Sequence, residues 1–214
     1  MSTPLVVVGA GGFGRETLDV VESINRCSPN PRFEILGVID ESPSAENLAR
    51  LKVRDVPYLG TVAEWLGGTR HAHYLIGIGD PAAREQVAAH FDGAGQVAAI
   101  AIHPASTIGS VTKIGPGSVV CGGVQVSTGV TLGKHVHLNP NATVGHDARL
   151  DDFVSVNPSA TISGSVRVGR RTLVGAGAVV LQGLTLGTDV TVGASACVVK
   201  DVLDATVVKG VPAR

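Results

Sequence analysis

The chemistry open to this chain begins with its seven histidines, and one of them stands apart. His146 is followed directly by Asp147. Imidazole suits proton transfer near neutral pH because its reference pKa, about 6.5, lies there. A neighbouring carboxylate can hold the second ring nitrogen and select the tautomer. The pair reads as a general base with its orienter, and equally as a corner residue on a wet face. His71, His73 and His90 carry no motif, and His103 stands in Ile102-His103-Pro104 at a junction. His135 and His137 flank a short strand, so that either could face a groove, and His137 is the second candidate base. Cys27, Cys121 and Cys197 are far apart, with no metal-ligand spacing and no histidine at a recognisable distance. They imply reduced thiols, no metal and no covalent enzyme intermediate.

A second chemical signal lies near the start. The apolar run at residues 4–8 (PLVVV) predicts a buried parallel strand. Gly9-Ala10-Gly11-Gly12-Phe13-Gly14 follows at once, and helical periodicity then runs from Arg15 to about Asn25. In that context a glycine loop can approach phosphate closely, and the amides opening the helix favour anionic oxygens. The alternative is that Gly11 and Gly14 merely allow a helix to pack tightly on a strand. A nicotinamide dinucleotide reading would place ribose hydroxyls on Asp40, at the end of a second strand from Phe33 to Asp40. Against it, the segment has room for only three or four strands. After a loop, a short helix is expected around Val62 to Leu66. A third strand from His73 to Gly79, a helix from Pro81 to about Phe91 and a last strand from Gln96 to Ile102 complete a small parallel α/β domain.

The element that must carry His146 has a different period. From Ile102 to Val198 every sixth residue is aliphatic and the phase never slips. Small or β-branched residues often stand two places before, and Gly recurs just after, as at Gly109, Gly133, Gly145 and Gly169. No helix has this period. A strict six reads as a hexapeptide β-solenoid, each hexad giving one short strand and one turn. The aliphatic residue points inward and stacks on its counterpart in the next coil, and the Gly or Asn after it supplies the freedom of a tight corner. A solenoid with no catalysis, a scaffold, fits this pattern too.

Composition narrows the partners. The chain has 214 residues and a formal net charge of -1. Its pI is about 6.6, which argues against a nucleic-acid or membrane-surface partner. Aromatic residues make up only 3%, as suits closely stacked coils. The opening residues have neither a basic flank nor an apolar run long enough to span a bilayer, so a cytoplasmic protein is expected.

Taken together, GAGGFGRE, VID, IGIGD with Arg84, IHP, the hexads and the closing VVKGVPAR resemble the hexapeptide-repeat sugar acetyltransferases of the sialic acid and bacillosamine type. The resemblance covers essentially the whole chain. It implies an α/β Rossmann-like N-terminal domain (residues 1–101) that holds a nucleotide-linked sugar. It also implies a left-handed parallel β-helix (residues 102–214), an exception to the right-handed crossover rule, which forms a homotrimer and binds acetyl-CoA between neighbouring subunits. By the same resemblance Gly11, Gly12, Phe13 and Gly14 line the sugar-nucleotide site, with Asp40 and Glu41 nearby. Phe13 stands where many relatives have histidine. The segment Asn139 to Asp152 (NPNATVGHDARLDD) resembles the catalytic turn, which implies His146 as base, Asp147 as its orienter and Asn139 as a further substrate contact. Ser155 occupies the place, nine residues after the base, of a second histidine that many relatives direct at the thioester. Gly164, eighteen residues after His146 and so one coil above it, matches the glycine whose amide meets the oxyanion. Gly175 and Ala176 would offer amides to the pantetheine arm, which pairs along the solenoid edge as an added strand does. The function implied is acetyl transfer from acetyl-CoA to an amino or hydroxyl group of a nucleotide-activated sugar for surface-glycan synthesis. The alternative is a non-catalytic nucleotide-sugar-binding protein on the same fold, and a different acyl-CoA or a free sialic acid stays open.

Overall fold

A computed structural model describes residues 2–214, in two compact units that divide between Pro104 and Ala105. In the first, β1 (Thr3–Val8) is the central strand of a three-stranded parallel sheet. It pairs with β2 (Phe33–Ile39) on one side and β3 (His73–Ile76) on the other. Leu5 to Val8 are buried because a central parallel strand is covered on both faces. Helix α1 (Gly12–Arg26) starts inside the glycine run, three residues earlier than the apolar periodicity indicates.

Helix α2 (Ala45–Val53) occupies what the sequence reads as a loop. The Ser44 side chain accepts from the Asn47 amide at 3.2 Å and so caps its start. Only Leu51 of this helix is buried, so its apolar stripe is too thin to announce it. Helix α3 (Val62–Leu66) opens with a Thr61–Glu64 capping box. Helix α4 (Pro81–Gly93) starts at an Asp80 cap, with proline in its first turn. The strand expected from Gln96 to Ile102 shrinks to one bridge between Ala98 and Tyr74 and a two-residue strand, Ala101–Ile102.

The second unit is a left-handed parallel β-helix of two-residue strands. Each strand pairs in parallel with the strand eighteen residues on, so three hexads make a coil with three faces. The first face carries His137↔Ser155↔Leu173, the second Gln125↔Thr143↔Thr161, and the third Thr131↔Arg149↔Arg167. The inward aliphatics are buried from Val120 to Val198, and Ile108 and Ile114 of the first coil are partly exposed. The ladder changes step at the end, where Val192 pairs with Val208 and Leu186 bridges Val202, sixteen residues on.

The corners correct one sequence expectation. Glycines directly after the inward aliphatic do not take left-handed conformations. Their role is close approach: a Cβ on Gly109 would lie 2.5 Å from the Ser127 carbonyl carbon in the next coil, and one on Gly169 2.5 Å from that of Gly187. The left-handed residue comes three places after the aliphatic. It is Asn141, Asp147, Phe153, Ser159, Ser165 or Arg171 in successive hexads, all with φ between 57° and 62°. Among the described residues no helix is long and apolar enough to cross a membrane.

Candidate active site

The corner between the second and third faces carries the imidazole. Thr143–Val144 is the strand before it and Arg149–Leu150 the strand after it. The Asp147 amide donates to the Thr128 carbonyl one coil below at 3.0 Å, and Ser165 donates to the His146 carbonyl at 2.7 Å. Both ladder bonds fix the turn. Asp147 takes φ 60°, a left-handed conformation that aspartate tolerates better than most side chains. Its carboxylate oxygen Oδ2 then lies 2.9 Å from His146 Nδ1. Gly129 beneath has no side chain to obstruct that carboxylate, since a Cβ there would come within 2.5 Å of Oδ1.

Gly164 does for the ring what Gly129 does for the carboxylate. A Cβ on Gly164 would lie 2.5 Å from His146 Nε2 and 2.7 Å from Cε1. The imidazole thus rests over the backbone of the next coil, with Nδ1 held and Nε2 left for chemistry. His146 is 53% exposed and Asp147 66%. The Gly164 amide has no acceptor among the described residues. A neutral imidazole so held can accept a proton at Nε2, and a bare amide beside it can donate to a developing oxyanion.

The remaining solenoid residues lie elsewhere. His135 is buried at the corner between the third and first faces, stacked on Phe153 with centroids 5.2 Å apart. Arg170 covers the Phe153 ring at 4.9 Å. His137 is buried on the first face beside Ser155, which is buried too. Neither His135 nor His137 faces a groove: one fills a corner stack and the other a covered face. Asn139 Nδ2 donates to the Val156 carbonyl at 3.0 Å and faces Asn157 in the coil above, a polar ladder at the corner between the first and second faces. Gly175 and Ala176 share that corner. The Gly175 amide already donates to the Val192 carbonyl at 2.8 Å, whereas the Ala176 amide has no acceptor among the described residues. One chain therefore sets His146, Asp147 and Gly164 on one edge, Asn139, Gly175 and Ala176 on a second, and Ser155 on a face.

In the first unit the glycine loop separates into two roles. Gly14 is a packing residue, since a Cβ there would collide with the Gly9 carbonyl oxygen. Gly9 has φ 108°, which excludes other residues in practice. Gly11 and Gly12 have open space where a Cβ would be, and Gly12 is exposed at the start of α1. Phe13 follows within the first turn, partly exposed. Asp40 braces the loop: Oδ2 accepts from the Ala10 amide at 2.7 Å and Oδ1 from the Ser42 amide at 2.9 Å. Glu41 accepts from the Val62 amide at 2.9 Å and anchors α3. Arg15, which the motif did not single out, donates to the Ala10 carbonyl at 3.0 Å and to Asn47 at 2.7 Å, tying the loop to α2. An open cavity of about 410 Å³ beside Gly12 is lined by Arg15, Glu16 and Arg54. Arg54 is ion-paired with Asp19 and Glu22 there. Burial, then the Asp19 carboxylate, raise the Glu16 pKa against the pull of Arg15. Arg84 is fully buried, donating to the Ile78 and Gly79 carbonyls at 2.8 and 3.1 Å, and desolvation lowers its pKa to about 9. Among the described residues no cluster of histidine, cysteine and acidic side chains could hold a metal ion.

An α/β unit with a glycine-opened helix, joined to a left-handed hexapeptide solenoid with a histidine–aspartate corner, defines the hexapeptide acyltransferase class. Residues 4–91 match the PglD N-terminal domain family. The acetyltransferase domain of PglB from Neisseria gonorrhoeae FA1090, solved in complex with acetyl coenzyme A, is 30% identical. That match covers 100% of this chain and 99% of that one, with a TM-score of 0.87. PerB from Caulobacter crescentus, solved in complex with CoA and GDP-perosamine, is 29% identical over 99% of this chain and 96% of that one, with a TM-score of 0.84. GDP-perosamine N-acetyltransferase of Escherichia coli O157:H7 is 28% identical over 149 residues, 70% of this chain and 65% of that protein's length. The chain belongs to the family of hexapeptide-repeat sugar acetyltransferases.

Proposed function

We propose that this protein transfers the acetyl group of acetyl-CoA to an amino group of a nucleotide-linked sugar by direct attack, with His146 as general base. The observation that carries the reading is the corner itself: Nδ1 held by Asp147 at 2.9 Å and Nε2 placed over Gly164. Nε2 takes a proton from the amine as its nitrogen bonds to the thioester carbonyl carbon, and the Gly164 amide donates to the carbonyl oxygen as charge builds there. The C–S bond then breaks, and the imidazolium returns its proton to the departing sulfur. The same base serves a hydroxyl acceptor. The relatives solved with CoA and GDP-perosamine favour the amine and a nucleotide-linked sugar.

In this reading residues 1–101 hold the nucleotide at Gly11, Gly12 and Phe13, in a loop shaped by Gly14 and Asp40. Residues 102–214 bind acetyl-CoA. Asn139, Ser155, Gly175 and Ala176 lie away from the His146 edge of their own chain, and of the four Ala176, exposed and with its amide free of an acceptor among the described residues, is the one placed to meet a ligand held by a neighbouring copy. A homotrimer, formed in the cytoplasm where both substrates are made for surface glycans, supplies that copy. The test is release of free thiol from acetyl-CoA across a panel of UDP-, GDP- and dTDP-linked amino sugars, with light scattering in parallel. Turnover on one sugar by a trimer is the expected result. Binding of a nucleotide sugar with no thiol release on any acceptor would instead identify a non-catalytic binding protein.

A further inference from the structure

The solenoid distributes charge unevenly among its three faces. The outward strand positions of the first two faces carry no Lys, Arg, Asp or Glu. On the third face they read Lys113, Thr131, Arg149, Arg167 and Thr185, so every strand-borne charge of the solenoid is positive and on one face. Arg149 and Arg167 are directly opposite one another in adjacent coils, rows that stand about 4.8 Å apart. Both are exposed, and neither has an acidic partner among the described residues. Like charges directly opposite on a sheet are destabilising unless something lies between them.

Two adjoining open grooves, of about 440 and 300 Å³, run from this face onto the corner that follows it and share Arg149 and Asp151. Of the other acids there, Asp152 accepts from the Lys134 amide at 2.8 Å and pairs with Arg170 at 3.1 Å. Asp204 accepts from the Thr188 amide at 2.8 Å. Asp151 is the one carboxylate left beside the two uncommitted guanidiniums. The face begins at the catalytic corner, since Arg149 is three residues after His146 and Arg167 three after Gly164.

We propose that this third face is a phosphate-binding wall of the site, where Arg149 and Arg167 jointly grip a phosphate ester of one of the two substrates. Guanidinium forks match phosphate oxygens in bidentate geometry, and an anion between the two cations turns their repulsion into binding. The inference rests on the acetyl-transfer reading for the identity of its ligands, because CoA and a sugar nucleotide both carry diphosphates. It does not rest on turnover.

Calorimetric titration of the full-length protein tests it, with CoA, 3′-dephospho-CoA, UDP, GDP and dTDP as probes. The variants are Arg149→Gln with Arg167→Gln, and Arg149→Lys with Arg167→Lys. The double Gln variant is expected to raise the Kd of one ligand class on the order of 10- to 100-fold, as for loss of charge-assisted bonds. Its salt dependence should flatten, and the Lys pair should recover part of the affinity. Weakening for CoA but not for nucleoside diphosphates assigns the wall to the acetyl donor, and the reverse assigns it to the sugar nucleotide. A CoA effect absent with 3′-dephospho-CoA would place the 3′-phosphate on it. Kd values within twofold of wild type for every probe, in a double Gln variant that melts normally, would overturn the proposal. His146→Ala titrated in parallel should bind all probes normally, so that failure of the catalytic reading shows as lost turnover with the wall intact.

Discussion

Gly164→Ala is a one-methyl test of the catalytic corner. The added Cβ would lie 2.5 Å from His146 Nε2, 2.7 Å from Cε1 and 3.0 Å from Cδ2. Ordinary contact needs about 3.5 Å, so the two groups must separate by about 1 Å. The Gly164 backbone is not in the left-handed region and the ring is the exposed partner, so the ring gives way. Its bond to Asp147, 2.9 Å long, is then stretched or lost. Misplacement of a catalytic group by about 1 Å costs on the order of 10²-fold in rate. Stability should change by less than about 1 kcal/mol, because an alanine compatible with the native backbone also restricts the unfolded chain. The assay is thiol release at saturating substrates, paired with thermal melts. A double-mutant cycle with His146→Ala separates the mechanisms: if Gly164 acts through the ring, the double variant is no slower than His146→Ala alone. A Gly164→Ala protein with wild-type melting and turnover within threefold of wild type would refute the reasoning, as would strict additivity in the cycle.

Other expectations concern the base, the loop and one corner ion pair. His146→Ala should lower kcat by about 10²- to 10⁴-fold and spare both KM values, with melting unchanged because the residue lies off the aliphatic ladder. Asp147→Asn should cost less, since asparagine tolerates the φ of 60° and only the tautomer suffers. Gly12→Val should raise the KM for the nucleotide sugar and leave acetyl-CoA affinity intact. Gly14→Ala should instead lower the melting temperature, by about 1–3 kcal/mol of stability, because its Cβ meets the Gly9 carbonyl. At the next corner Arg171 Nε donates to Asp189 Oδ1 at 2.6 Å, and that hydrogen bond holds the Asp189 pKa below its ordinary value of 3.8. A depressed native pKa contributes stability above 3.8 that is lost as pH falls through the native value. The pair is partly exposed at the surface, so Asp189→Asn should cost about 1 kcal/mol or less near pH 7. In melts at decreasing pH its difference from wild type should disappear on the acid side.

The inner ladder of the solenoid was legible residue by residue because a solenoid is a one-dimensional problem. The period of six picks out every inward aliphatic, and three hexads to a coil, which the family resemblance implies, places Val144 beneath Ile162. The first unit was legible where a strong local signal existed, as in the apolar run of β1 and the Asp40 position at the end of β2. It was not legible at α2, whose single buried residue leaves almost no stripe to read. Nor was the division of labour among the glycines: Gly12 and Gly14 look alike in a motif, and only the carbonyl of Gly9 makes one a packing residue.

Periodicity, with the three hexads to a coil that the resemblance implies, also assigns His146 and Gly164 to one column, but composition of a column says nothing about which way a ring leans or what is exposed. Two histidines of a single earlier hexad, His135 and His137, are buried, whereas His146 is half in solvent. The left-handed backbone at Asp147 and the missing side chains of Gly129 and Gly164 are what turn a histidine beside an aspartate into an oriented, half-exposed imidazole. Sequence by itself determined which residues form the inward ladder, because that ladder depends on spacing alone. Tertiary structure decided the site, because orientation depends on atoms one coil away that no local window of the chain contains.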